Sequence, residues 1–406
     1  MNELGGKIEM NRGPKRALEA VVNTVILCLI TACLAHSQSR NSGEQKPLMA
    51  EDVFKNVQLL KGIPVKEFMD TMGFFSAATG LNCVDCHDPE AGSSLAAYAI
   101  DTPLKQTARK MILMVNALNK ANFGGEQMVT CYTCHRATDR PKRIPSLAEQ
   151  YSTEADDPNE VEIIGKGGTR PANQLSADQI LDKYIQAIGG PAQLAKLTSF
   201  VAKGTYEGYD SLSEKVPIDI YAKAPNQLTT IVHTQQGDSV STFSGASGWI
   251  AAADKLMRVL PLSEGDLEGA KMDASIWFPA GLNQEFRWRT GFPSVAIDNR
   301  PVEVIQIAAA NDLGAKLYFD KQTGLLVRQL RYSETAVGVI PTQVDYSDYR
   351  EVAGFKMPFH WVVTWTDGRS TVILNEIQPN ASIETSRFAM PAPPSAKKSA
   401  PDQRNQ

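Results

Sequence analysis

Two five-residue stretches constrain this chain more than anything else in it: Cys83-Val84-Asp85-Cys86-His87 and Cys131-Tyr132-Thr133-Cys134-His135. Each sets two thiols three residues apart, with a histidine directly after the second. This arrangement attaches a c-type haem: the thiols add to the haem vinyl groups, and the adjacent imidazole reaches the iron as proximal ligand. A zinc site made of two CxxC pairs does not call for a histidine after both, and a thioredoxin-like redox pair needs one CxxC only. Beyond the four motif cysteines there are only Cys28 and Cys33, so no structural disulfide is expected. The expectation is two covalently bound c-type haems, attached at Cys83, Cys86, Cys131 and Cys134, with His87 and His135 as iron ligands.

The start of the chain points to export. Lys15 and Arg16 precede an apolar run from Val21 to Ala32, with small and polar residues after it, which is the plan of a secretory signal. The run is shorter than the roughly 20 residues of a membrane-spanning helix. Ile30-Thr31-Ala32-Cys33 resembles the box at which bacterial lipoproteins are cleaved and lipidated on cysteine. Residues 1–32 are therefore read as a lipoprotein signal and Cys33 as the lipidated residue, with ordinary cleavage near Ala35 as the alternative. Without residues 1–32 the net charge goes from −4 to −5, because four basic and three acidic residues leave with them. No basic stripe suggests a nucleic-acid partner. The chain is expected on the periplasmic side, anchored to the membrane through the lipid.

A length of 406 residues exceeds one usual domain of about 100–200 residues, so two globular parts are expected. After a polar tether over 33–49, helical periodicity begins near Ala50 and restarts at Pro64. Val65, Phe68, Met69, Met72 and Phe75 then share one apolar face, and Gly80 breaks the helix before Cys83. A second unit repeats the plan. Asp101 or Thr102 caps, Pro103 opens, and Leu104, Ala108, Met111, Met114, Val115 and Leu118 form a stripe that Gly124-Gly125 ends before Cys131. A methionine thioether on such a face is a soft ligand suited to the sixth position of a haem iron. Spacing alone leaves Met69 beside Met72, and Met114 beside Met111.

The words around these motifs carry a resemblance. Lys55-Asn56-Val57-Gln58-Leu59-Leu60, then Glu67-Phe68-Met69-Asp70-Thr71-Met72, then the first CxxCH is similar to the cytochrome c subunit of bacterial photosynthetic reaction centres. Arg109-Lys110-Met111 and Val129-Thr130-Cys131-Tyr132-Thr133-Cys134-His135-Arg136 match the same family's second haem unit in the same order. The resemblance covers about residues 51–145 and implies that Met72 and Met111 are the axial ligands opposite His87 and His135. It also marks a departure: the full subunit resembles two copies of a two-haem half, whereas this chain has one half followed by something else.

Arg136, Arg140, Lys142 and Arg143 follow the second motif, either facing haem propionates or forming a solvated basic edge. The polar, turn-rich stretch 146–173 is read as a linker. A second domain over 174–391 opens with a Ser176/Gln179 capping box on an amphipathic helix carrying Ile180, Leu181, Tyr184, Ile185 and Ile188. Period-two strands follow at 217–222, 226–233, 302–307, 316–319, 324–330, 354–363 and 370–377, with a turn at Asp320–Gly324 and a helical interruption within 262–282. The fold expectation is multidomain: an all-α dihaem cytochrome domain over 50–145, then an α+β domain dominated by a curved antiparallel sheet, and a disordered tail over 392–406. The second domain loosely resembles the half-barrel of the bacterial lipoprotein-carrier fold.

In this second domain no catalytic constellation stands out. His233 and His360 lack any recognisable metal spacing, and Trp249, Trp277, Trp288, Trp361 and Trp365 read as core or cavity lining. The leading function is electron transfer between redox protein partners, membrane-bound ones included, not catalysis. Two alternatives stay open: a haem enzyme such as a peroxidase or reductase, which needs an open iron site, and a module binding lipid or a partner, with the haems as redox input.

Overall fold

The computed structural model describes residues 47–391, apart from 93, 151, 153–155, 164–172, 254, 256, 294 and 309–313. The signal over 1–32, Cys33, the tether up to residue 46 and the tail over 392–406 lie outside the described residues. From Pro47 onward the chain forms one compact unit. Among the described residues, no helix is long and apolar enough to cross a membrane.

The N-terminal part of that unit is helical. It comprises α1 (Ala50–Val53), α2 (Val65–Thr79), α3 (Cys83–Cys86), α4 (Pro103–Asn122), α5 (Cys131–His135) and α6 (Leu147–Gln150). Pro64 caps α2, and Gly80 ends it in the left-handed conformation at φ 71°, which glycine adopts without steric cost. Of the two expected caps for α4, Thr102 is the one used: its hydroxyl accepts from the Lys105 N–H, and Pro103 opens the helix. Gly124 and Gly125 follow its end at φ 65° and 95°.

The remainder is one antiparallel sheet of fourteen strands. In chain order they are β1 (Val161–Ile163), then helices α7 (Ala177–Ala187) and α8 (Pro191–Leu194), then β2 (Ser199–Gly208), β3 (Lys215–Lys223), β4 (Gln227–Thr234), β5 (Gly237–Phe243), β6 (Gly248–Ala252) and β7 (Val259–Pro261). Helices α9 (Glu264–Ser275) and α10 (Leu282–Glu285) interrupt, and β8 (Trp288–Pro293), β9 (Val302–Ile307), β10 (Lys316–Asp320), β11 (Leu326–Thr335), β12 (Gly338–Val352), β13 (Phe355–Trp365) and β14 (Gly368–Pro379) complete it. The spatial order is β1-β8-β9-β10-β11-β12-β13-β14-β2-β3-β4-β5-β6-β7, so two meanders join where β14 pairs with β2.

Period two explains which residues the sheet buries. On β2 and β3, Phe200, Ala202, Tyr206, Val216, Ile218, Ile220 and Ala222 point to one face, where they meet Ile180, Leu181 and Tyr184 of α7 and Met272 of α9. Strands β9 and β10 are buried on both faces: Ile305, Leu317 and Phe319 join this core, while Val302, Val304 and Tyr318 enter a second cluster with Val327 and Leu330. That double burial takes in polar residues too: Gln306, Lys316 and Asp320 are buried on these strands. The Ser176/Gln179 capping box forms as read. In the Asp320–Gly324 turn, Asp320 Oδ1 accepts from the N–H groups of Gln322 and Thr323 at 2.9 and 2.7 Å.

The stretch 146–173 differs from its sequence reading. Part of it is sheet: β1 pairs with β8 from Val161↔Pro293 to Ile163↔Gly291. The Asn159 carbonyl accepts from Lys316 Nζ, and its side chain accepts from Arg328. Polar composition suggested a linker, but these groups satisfy buried donors of the inner strands β10 and β11.

Helix α2 sits on the sheet with one face only. Phe74 and Ala78 pack with Val337 and Ile340 at the β11–β12 hairpin. Lys66 donates to Asp70 at 2.5 Å and lies 3.2 Å from Asp266 of α9, which fastens the start of the helix. Burial works against the charge on Lys66, yet the two carboxylates hold its pKa above the ordinary value.

Candidate functional site

Both CxxCH stretches are single helical turns with their own caps. Asn82 accepts from the N–H groups of Val84 and Asp85, and Asp85 accepts in return from the Asn82 N–H. At the second turn, Thr130 N–H donates to the Thr133 hydroxyl at 3.0 Å. The two variable residues of each motif thus shape a turn that presents both thiols. Four free cysteines result, with Cys83 and Cys134 exposed and Cys86 and Cys131 half-buried. Burial pushes the thiols of Cys86 and Cys131 above their ordinary pKa.

The turns are held by residues that motif reading passes over. Thr102, the cap of α4, also donates its hydroxyl to the Cys86 carbonyl at 2.6 Å. Lys105 Nζ donates to the carbonyls of Tyr98 and Ile100, closing the loop between α3 and α4. Buried Asn119 donates to the Val129 carbonyl at 2.7 Å and accepts from the Val129 N–H at 3.0 Å, which pins the segment leading to Cys131. The Ala137 N–H donates to the Ala78 carbonyl, and a Cβ on Gly80 would lie 2.6 Å from the Ala137 oxygen. Only glycine lets the end of α2 approach the second turn so closely. A buried asparagine seven positions after Ile112 on an otherwise amphipathic helix was the one signal in the sequence for this pinning.

The two histidines differ. His135 Nδ1 lies 2.9 Å from the Thr138 carbonyl; a carbonyl only accepts, so Nδ1 carries the proton and Nε2 presents a lone pair, the tautomer a metal-binding imidazole needs. His87 packs edge-on against Tyr98 with ring centres 4.9 Å apart, and its buried Nδ1 has no hydrogen-bond partner. Burial, then the nearby Lys105 ammonium, lower its pKa against the opposing influence of the Tyr98 backbone.

The apolar stripes are only partly covered: on α2, Val65 is buried, whereas Phe68, Met72 and Phe75 are half-buried. On α4, Leu104, Met111 and Met114 are exposed, while Ile112 and Asn119 are the buried positions. On α2, Thr71, Phe74 and Ala78 are buried against the protein, and half-buried Met72 lies about 200° around the helix from Phe74. Met69 is 46% exposed. Fourteen of the seventeen exposed large hydrophobic residues among the described residues fall between Leu48 and Leu147, so this quarter of the chain leaves most of the uncovered apolar surface. Such surface concentrated beside paired thiols marks a binding site, and an apolar macrocycle joined to each turn fits it. A shared zinc site does not: among the described residues, no three His, Cys, Asp or Glu side chains converge.

Beyond the second turn, Arg136, Arg140 and Arg143 are exposed. In the sheet, His233 bonds Asp238 and Asp219, and His360 Nδ1 lies 2.6 Å from the Ser347 hydroxyl. Trp249 and Trp361 are buried, Trp277 packs on Phe200 and Trp361, Trp288 donates to the Leu282 carbonyl, and Trp365 stacks edge-on with Tyr209.

Comparison with known proteins gives two separate likenesses. The chain resembles, at 11% identity and a TM-score of 0.37, a LolA superfamily protein from Nitrosomonas europaea, over 53% of this chain and 99% of that one. A putative outer membrane lipoprotein-sorting protein domain from Vibrio parahaemolyticus gives 10%, a TM-score of 0.35, and 52% and 94% coverage. In sequence, the photosynthetic reaction center cytochrome c subunit of Thermochromatium tepidum is 39% identical over 100 residues, 23% of this chain and 23% of that protein. That of Roseobacter denitrificans is 33% identical over 104 residues, 24% and 27% of the two chains. The match thus spans about a quarter of the length of these relatives. Residues 7–177 match the family described as Photosynthetic reaction centre cytochrome C subunit, and it is this N-terminal part that carries the resemblance.

Proposed function

We propose that the chain is an exported c-type cytochrome with two covalently attached haems, which passes electrons between redox proteins. The observation that supports this reading is the pairing, twice over, of a capped CxxCH turn with a methionine-bearing helix that leaves methionine exposed, Met69 on α2 and Met111 and Met114 on α4. Cys83 and Cys86 hold one haem and Cys131 and Cys134 the other; His87 and His135 are the proximal ligands. Met72 and Met111 are the distal ligands, a choice over Met69 and Met114 that rests on the family resemblance.

When bound, the haem iron supplies a one-electron couple, and methionine opposite histidine favours a relatively high potential. The chain's own residues prepare for that. Thr138 fixes the His135 tautomer, Asn119 and Gly80 fix the second turn against α4 and α2, and Thr102 and Lys105 fix the first. Methionine and histidine would fill both protein-facing positions of each iron, which would favour electron transfer over a peroxidase or reductase. Cys33 carries a lipid in this reading and holds the protein on the periplasmic face of a membrane.

Intact mass of the protein exported from a host that matures c-type cytochromes tests the proposal. The expected mass exceeds that of the polypeptide by two haems, and the Cys83→Ala/Cys86→Ala variant retains one. A mass without any haem refutes it.

A further inference from the structure

The β11–β12 hairpin reaches from the sheet to the second CxxCH turn, and several independent contacts hold it there. Gln127, in the loop before Cys131, donates Nε2–H to the Ala336 carbonyl at 3.1 Å. Val337, at the tip, is 7% exposed and shares a cluster with Phe74, Ala78 and Ile340, against which the Cys131 side chain packs. Val337 and Cys131 also line one crevice with Ile112, Val115 and Asn119 of α4, the helix that carries Met111.

The tip has little freedom to move away. The Thr335 hydroxyl donates to the Gly338 carbonyl at 2.7 Å and accepts from the Val337 N–H at 3.3 Å. A Cβ on Gly338 would lie 2.3 Å from the Phe74 ring, so only glycine permits this approach. Tyr209, in the turn after β2, is 54% exposed and packs edge-on against Trp365.

We infer that the β11–β12 tip is a wall of the second haem site, and that Val337 is a positioning residue that keeps the surroundings of the Cys131 attachment dry. The inference rests on the proposed dihaem function. An apolar wall disfavours the extra positive charge of the oxidised iron and raises the potential of that haem. The sheet therefore tunes the second haem through this tip.

Redox titration of the haem-bearing protein, followed by absorption, tests this with Val337→Thr, which keeps the side-chain shape and adds a hydroxyl. The midpoint of one haem is expected to fall while the other holds, and the haem that moves is the one that Met111→His also moves. Gln127→Ala, an exposed change that loosens the tip without altering the core, is expected to lower the same midpoint by less. Ile373→Thr, on the exposed face of β14, is expected to move neither. Two haems whose potentials both hold, or both shift equally, in Val337→Thr and Gln127→Ala overturn the inference while the cytochrome reading stands. A wild-type protein that carries no covalent haem overturns that reading instead, and the wall with it.

Discussion

At the residue scale, the proposed ligands His135 and His87 show how much of such a role lies in a residue's neighbours. The motif CxxCH named both, but the Thr138 carbonyl that fixes the His135 tautomer comes from a turn whose residues, Ala137 and Thr138, carry no motif. His233 offers a separate test, remote from the haem turns. Burial opposes its charge, yet hydrogen bonds to Asp238 and Asp219 raise its pKa above the ordinary value. A raised histidine pKa adds stability that is fully present below the unfolded value of about 6.5 and is lost as pH rises through the folded one. His233→Asn should therefore lower the melting temperature at pH 5.5 and cost nothing by pH 9. Solvent screening keeps the effect to about 1 kcal/mol or less, and a difference independent of pH between wild type and variant would refute it.

At the scale of elements, the helices were legible because their ends are chemical: Pro64, Gly80, Thr102, Pro103, Ser176 and Gln179 all act as read. Their faces were not. The stripe on α2 suggested a single apolar face, but besides its member Val65 the helix buries Phe74 and Ala78, on the far side, against Val337 and Ile340, more than 250 residues away in the chain. Nothing local encodes such a contact, so no periodicity could assign it. Lys66 illustrates the same gap, since its partner Asp266 lies on α9. Replacing Lys66 with Met leaves Asp70 and Asp266 facing each other without the cation, and a loss of about 3–5 kcal/mol is expected in chemical denaturation. Asn119→Ala removes both partners of the Val129 backbone, with an expected cost of about 1–3 kcal/mol and a less protected second turn in hydrogen exchange. Stability unchanged in either variant would contradict these assignments.

For the molecule as a whole, the sheet was legible where period two is clean, as on β3 and in part on β9, whereas β2, β5 and β6 carried no strand reading. Less legible was how the helical part meets it. Composition suggested a linker over 146–173, whereas β1 lies on the sheet edge and α2 on the β11–β12 hairpin. The described residues from Pro47 onward therefore form one packed unit, in which the proposed electron transfer and sheet stability are expected to fail together when α2 is loosened. The absorption spectrum of the haem-bearing protein, oxidised and reduced, with and without carbon monoxide, tests the central claim most directly. Two closed His/Met sites predict low-spin spectra, a methionine–iron charge-transfer band that Met72→Ala and Met111→Ala each diminish, and no response to carbon monoxide. A high-spin fraction in the wild type that binds carbon monoxide would contradict the account, because it would mean an iron open to substrate.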